Sequence, residues 1–200
     1  VLFRSALAYW VGIHLDHARN NTDEKIREDS SYMVALLTPV VKSFLTERGF
    51  YNISEAMQVC GGSGFTVEWS IEQYLRDLRI AMIYEGTNHI QALDLVGRKL
   101  PMGMGRLFKK FAGIITEHIQ EHKDNDAMTE FLEPLKDASK KLTAVTMDLS
   151  AKAMQDPEVA GAIASNYLNL FAYTALAYVW SVSAAASLGR EGSFYTTKVK

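Results

Sequence analysis

The chain has 200 residues, a formal net charge of −2, 48% apolar residues and 22% charged residues, which suits one globular domain or two small ones in solution. That charge leaves no footprint for nucleic acid or an anionic membrane surface, and a single cysteine, Cys60, excludes an internal disulfide and fits a reducing compartment. The opening Val1-Leu2-Phe3-Arg4-Ser5 has no initiator Met and no signal-peptide layout, and Thr196-Thr197-Lys198-Val199-Lys200 has no obvious stop, so both ends read as cuts through a longer chain.

The dominant period is helical. Leu7, Trp10, Val11, His14, Leu15 and Ala18 recur at spacings of three and four, and the polar turn Asn20-Asn21-Thr22-Asp23 follows. A second long pattern runs through Met33, Leu37, Val40, Phe44 and Leu45. Pro39 inside it removes a helix hydrogen bond and predicts a kink or local break; the pattern resumes after Gly49 and ends at Gly61-Gly62-Ser63-Gly64. A short helix is expected around Ile71 to Arg79, then a loop holding Tyr84-Glu85-Gly86, then a helix starting at Thr87 with Ile90, Leu93, Val96 and Leu100 as its stripe.

Pro101, Gly103 and Gly105 punctuate the chain and mark a boundary between two units, 1–101 and 102–200. In the second unit Leu107, Phe108, Phe111, Ile114, Ile115, His118 and Ile119 share one face, and Phe131, Leu135, Ala138, Leu142, Val145 and Leu149 form a helix seam. Asp156-Pro157-Glu158 predicts a helix start, with an Asp cap, Pro at the first helical position and an acid in the first turn; Gly189 is a natural stop. From Val159 to Leu188 there is no charged residue, a length that can span a bilayer. Its Ala and Ser content, with Asn166 and Asn169 inside, predicts a buried helix and no membrane span. With no strand of convincing alternation, the expected fold is all-α, a helical bundle followed by a second small helical bundle.

Chemistry concentrates between Gln58 and Leu100. The segment Gln58-Val59-Cys60-Gly61-Gly62-Ser63-Gly64-Phe65 joins two helices. Its glycines let backbone approach a ligand and its free N–H groups suit phosphate, but the same composition makes an ordinary turn. Glu85 follows Ile80-Ala81-Met82-Ile83-Tyr84, five uncharged residues. One reading is a partly desolvated carboxylate whose raised pKa makes it a base; the other is a solvent-facing acid near a helix start. His14 and His17 can share a helix face, and His118 and His122 stand four apart, but neither pair has a third ligand motif, so no metal is expected and the second pair reads as surface or boundary. Cys60 has no His or Asp partner placed for nucleophilic chemistry and reads as packing.

Gln58, Gly61, Gly62, Gly64, Phe65, Glu68 and Asp77, with Arg76-Asp77-Leu78-Arg79-Ile80 and Ile83-Tyr84-Glu85-Gly86-Thr87, resemble the C-terminal signature of the acyl-CoA dehydrogenase family. One position departs: Gln73 stands where the family has a basic residue, which weakens a local ion pair. Gln91-Ala92-Leu93-Asp94-Leu95-Val96-Gly97-Arg98-Lys99 and the helical region after it are similar to the 3-methylmercaptopropionyl-CoA dehydrogenase-like subgroup, with Phe194-Tyr195-Thr196-Thr197-Lys198 as its closing segment cut short.

The resemblance implies a cytoplasmic FAD enzyme in which Glu85 removes the α-proton of an acyl-CoA thioester, its backbone N–H helps polarise the carbonyl, and Gly86 leaves room for the acyl chain. It places Gln58, Val59, Cys60, Gly61 and Gly62 against the FAD of a neighbouring subunit, and Thr87, Asn88 and His89 near the FAD adenylate, His89 departing from a more frequent Gln. Arg79 is an active-site or interface charge. The expected partners are electron-transferring flavoprotein and further copies in a homodimer or homotetramer. Residues 1–101 then correspond to the truncated C-terminal domain and 102–200 to the added helical one. Because the family's central β-domain covers the flavin ring, this chain alone is expected to bind FAD weakly or not at all. Two other functions stay open: an acyl-CoA oxidase with the same base, and a non-catalytic helical interaction module that retains Glu85 as a cap.

Overall fold

A computed structural model describes residues 2–199. Helices α1 (Leu2–Asn20) and α2 (Glu24–Val59) form a hairpin. The turn is held by Asp23, whose Oδ1 accepts from the N–H groups of Lys25 at 2.8 Å and Ile26 at 3.3 Å, while the Arg27 guanidinium donates to the carbonyls of Asn21 and Thr22. Then come α3 (Gly62–Phe65), a 3₁₀ turn at Val67–Trp69, α4 (Ile71–Ala81) and α5 (Asn88–Asp94), which continues into a π-helix, Leu95–Lys99. A turn leads to α6 (Arg106–His122), α7 (Thr129–Ala153), α8 (Pro157–Ser187) and α9 (Ser193–Val199). No strand occurs among the described residues, so the chain is all-α.

α2 overturns one of the two alternatives expected at Pro39, the local break. It runs unbroken through both Pro39 and Gly49. Leu36, Leu37, Pro39, Val40 and Phe44 are all buried, so packing on both sides of the missing hydrogen bond offsets its loss. Gly49 lets α4 come close: a Cβ there would stand 3.3 Å from Leu78 Cδ1.

α8 is the central pillar. Asp156 caps it by accepting from the N–H of Glu158 at 2.9 Å, and Leu188 closes it before Gly189, at φ +75°. Tyr178 meets Trp10 of α1, Tyr173 meets Phe44 of α2, and Phe171 stacks on Phe111 of α6 with centroids 4.5 Å apart. Tyr167 reaches Thr146 Oγ1 of α7 at 2.7 Å, and burial pushes its phenol pKa upward. α8 is long and apolar enough to cross a membrane by length and composition, yet these contacts give it the place of a core helix. Fully buried side chains such as Phe171, Tyr167 and Leu168 contribute roughly 1.5–3 kcal/mol each. The core cluster joins residues before and after the 100–105 turn, from Leu7 and Leu37 through Phe111 to Leu149.

Candidate functional site

The loop between α4 and α5 is strained and clamped. Glu85 and Gly86 are consecutive left-handed residues, at φ +54° and +85°. Glycine suits 86 because φ +85° strains any L side chain, and a Cβ there would also push aside the Gln91 amide, whose Nε2 would lie 2.8 Å away. Gln91 Nε2 donates to the Glu85 carbonyl at 3.1 Å. From α2, Lys42 Nζ donates to the Gly86 carbonyl at 2.5 Å and to Asn88 Oδ1 at 3.1 Å. Asn88 Nδ2 donates to the Ser43 carbonyl, Ser43 Oγ to the Asn88 carbonyl and Thr46 Oγ1 to Asn88 Oδ1. Thr87 caps α5, its Oγ1 accepting from the Ile90 N–H at 3.3 Å. A non-glycine residue in the left-handed region is sparsely populated and persists where its surroundings over-determine it. Lys42 and Gln91 supply that determination on either side of the Glu85–Gly86 peptide.

Glu85 opens onto a groove of about 390 Å³ whose walls include Pro39, Gly86, Ile90, Gln91 and Lys99. Asp94 beside it pairs with Arg98 and stands 4.0 Å from Lys99. Desolvation holds the Lys42 ammonium below the ordinary lysine range, and the negative charge of Glu85 opposes that shift, so the two groups sense each other. The Glu85 side chain is exposed. The expected desolvation by its apolar neighbours is therefore not supplied by this chain: Ile83 and Tyr84 point outward too, at 47% and 53% exposure.

The glycine turn lies elsewhere. Cys60 ends α2 by donating to the Ala56 carbonyl, and Gly61 at φ +59°, ψ −147° adopts a conformation open to glycine alone. A Cβ at Gly61 or Gly62 meets nothing within 4 Å, so the backbone is open to a ligand there. Gly64 is the reverse, packed against the Met57 carbonyl and the Cys60 Cβ. Gln58 and Val59 are exposed, and Phe65, Val67 and Trp69 continue an outward apolar patch. Along α2, Lys42 and Gln58 are separated by about 24 Å at helical rise. The structure thus gathers Glu85, Gly86, Thr87 and Asn88, and leaves Gln58 to Gly62 apart from them. His89 turns to α8, its Nδ1 3.0 Å from Ser165 Oγ.

Other residues named from sequence find plain roles. Arg79 lies over the Phe50 ring at 5.8 Å. Gln73 replaces the expected base with hydrogen bonds, donating to Asp77 Oδ1 and accepting from Arg76 Nη2, both at 2.8 Å. His14 pairs with Ser30 and His17 with Asn21. His118 departs from the surface reading: it is buried, with Nε2 2.8 Å from Ser181 Oγ, because α8 covers that face of α6. No group of three or more metal-binding side chains occurs among the described residues. Lys42, Ser43 and Thr46 are not singled out from sequence, although three polar residues at 42, 43 and 46 amid Val40, Val41, Phe44 and Leu45 are a visible signal.

Residues 18–100 match the family described as "Acyl-CoA dehydrogenase, C-terminal domain", and residues 111–200 match "Acetyl-CoA dehydrogenase C-terminal like". A 3-methylmercaptopropionyl-CoA dehydrogenase of Ruegeria pomeroyi is 37% identical over 91% of this chain. The chain belongs to the acyl-CoA dehydrogenase family. It spans 31% of the length of that relative. A butyryl-CoA dehydrogenase of Syntrophomonas wolfei is 33% identical over 63% of this chain and 21% of its own. Among solved structures, Caenorhabditis elegans ACDH-11 in complex with C11-CoA superposes with a TM-score of 0.73 at 19% identity, covering 98% of this chain and 32% of that one, a likeness of fold. The two matched regions flank residues 101–110, which hold the turn before α6 and its first residues.

Proposed function

We propose that Glu85 is the base of an acyl-CoA dehydrogenase that converts an acyl-CoA thioester to its 2-enoyl form. The observation that carries this reading is the clamped left-handed Glu85–Gly86 pair, which presents a carboxylate into a groove with its backbone fixed from both sides. Held geometry contributes more to proton abstraction than basicity alone. Glu85 takes the α-proton, and the electrons of that C–H bond form the new double bond. FAD, when bound, accepts the β-hydrogen as hydride. The Glu85 N–H donates to the thioester carbonyl as enolate character develops, and Gly86 leaves space for the chain. Lys42 positions the loop and balances the Glu85 charge. Covering of the exposed carboxylate falls to the bound acyl chain and to protein outside this chain.

The open backbone of Gly61 and Gly62 suits contact with FAD. The distance along α2 supports assigning that contact, with Gln58, Val59 and Cys60, to a different flavin from the one Glu85 serves, that of a neighbouring copy in a homodimer or homotetramer. The exposed Val59, Phe65, Val67 and Trp69 support burial against such a copy. Thr87, Asn88 and His89 border the flavin that Glu85 serves, and electron-transferring flavoprotein receives the electrons. Residues 1–101 and 102–200 are the two functional divisions.

The test is anaerobic titration of the full-length protein with acyl-CoA thioesters of graded length, followed by flavin absorbance, with Glu85→Gln alongside. Bleaching in the parent and none in the variant is expected. Equal bleaching in both moves the base elsewhere, and a colourless, folded parent makes the chain an interaction module. Rapid reoxidation by oxygen would favour an oxidase.

A further inference from the structure

Behind the Glu85 groove lies a second cavity, of about 600 Å³, between the π-helix with its following turn and the junction of α7 with α8. We propose that this cavity binds an aliphatic hydrocarbon chain, with any polar head left at the mouth.

The cavity is built by two unusual stretches of backbone. The π-helix widens the end of α5, with the Leu100 N–H donating to the Leu95 carbonyl at 3.0 Å, and such turns favour functional sites. The chain then passes through three successive left-handed residues, Gly103 at φ +58°, Met104 at +57° and Gly105 at +78°. Three N–H groups close a tight turn: Met104 donates to the Pro101 carbonyl, Gly105 to Met102 and Arg106 to Gly103. Met104 thereby takes a conformation unfavourable for an L-residue, and its side chain is 89% exposed at the rim. Met154 faces it from the end of α7, also 89% exposed.

The lining chooses the ligand. Val96, Leu100 and Leu149 form buried walls, and no residue lining the space is charged or aromatic. Nothing there would hold a carboxylate or phosphate, or stack on a planar ring. The Ser150 hydroxyl is already spent on the Thr146 carbonyl at 2.7 Å. The space opens to solvent along Gly97, Pro101, Met104, Ser150 and Met154, and its volume falls within the roughly 300–1,000 Å³ of small-molecule sites. Two flexible thioethers at the mouth adapt to a chain of variable length. The same π-helix turns Arg98 and Lys99 toward the Glu85 groove and Val96 and Gly97 toward this cavity, so an occupant braces the wall of the proposed active site.

Gly97 provides the test, because a Cβ built there meets nothing within 4 Å and Gly97 lines the cavity. The full-length protein, stripped of lipid, is titrated calorimetrically with dodecanoate and with dodecanol. Saturable binding of both, with affinities within about threefold, is expected, since the site reads the chain alone. Gly97→Leu fills the space and should weaken both at least tenfold without lowering the melting temperature. Met154→Glu, at an exposed position that folding does not need, should weaken both as well. Binding unchanged in the two variants, binding of dodecanoate alone, or a stoichiometric polypeptide seated there by light scattering overturns the proposal. These readouts are binding and stability, so they stand or fall apart from the role of Glu85.

Discussion

Replacing Glu85 with glycine should make the protein more stable while removing its proposed base. Glu85 sits at φ +54°. The left-handed region costs an L-residue about 1–2 kcal/mol, and glycine there adds roughly 0.5–1 kcal/mol of backbone entropy on folding. The difference is a gain of about 0.5–1 kcal/mol. Little is lost with the side chain, which is exposed and acts on Lys42 through a solvent-screened attraction. For a chain of this size 1 kcal/mol moves the melting temperature by about 2–4 °C, so Glu85→Gly should melt about 1–4 °C higher by calorimetry. Glu85→Ala keeps the β-carbon and therefore the strain, and should stay near the parent. A glycine variant that melts lower than the alanine variant would refute the idea that strain is stored at this residue. Strain of this kind, tolerated at the residue proposed to do chemistry, is what a stability–activity trade-off looks like at one position.

Gly64→Ala drives a Cβ to within 2.7 Å of the Met57 carbonyl oxygen, whereas Gly62→Ala enters open space; thermal melts should show a loss of about 1–3 kcal/mol for the first and near zero for the second. Lys42→Met leaves the Gly86 carbonyl and Asn88 Oδ1 without their shared donor, which should lower the urea midpoint by an amount equal to roughly 0.5–1.5 kcal/mol and speed amide exchange across residues 85–88. Burial, then the charge of His122, depresses the His118 pKa below 6.5, with Glu121 opposing. The unfolded chain therefore binds the extra proton first, so His118's contribution to stability is present above pH 6.5 and is lost as pH falls through its folded value. The urea midpoint should drop between pH 7.5 and 5.5, and His118→Gln should flatten that slope; an unchanged slope would assign it to other groups, such as His14, which shifts the same way.

Local signals carried most of the architecture. The Asp156-Pro157-Glu158 start, the Thr87 cap and the α4 span each rest on a few adjacent residues, and each stands in the structure where those residues place it. What escaped depends on distant partners. Pro39 and Gly49 look like breaks in isolation, yet burial on one side and the approach of Leu78 on the other keep α2 whole. His118 reads as a boundary residue until Ser181, 63 positions away, covers it. At the candidate site, the Glu85–Gly86 loop was legible as a motif. Its strain and the Lys42, Ser43, Thr46 and Asn88 clamp were not, because they arise where α5 docks on α2. The exposure of Glu85 could not be read from its apolar neighbours, which themselves turn outward.

The claim that Glu85 removes a proton from the α-carbon can be tested apart from any later step. The full-length protein is incubated with a saturated acyl-CoA in D₂O, and deuterium entering the α-position is followed by mass spectrometry, for the parent and for Glu85→Gln. The account predicts α-exchange in the parent and a loss of at least about a hundredfold in the variant, in line with a positioned general base. Exchange that persists at the parent rate in a folded Glu85→Gln protein would contradict it.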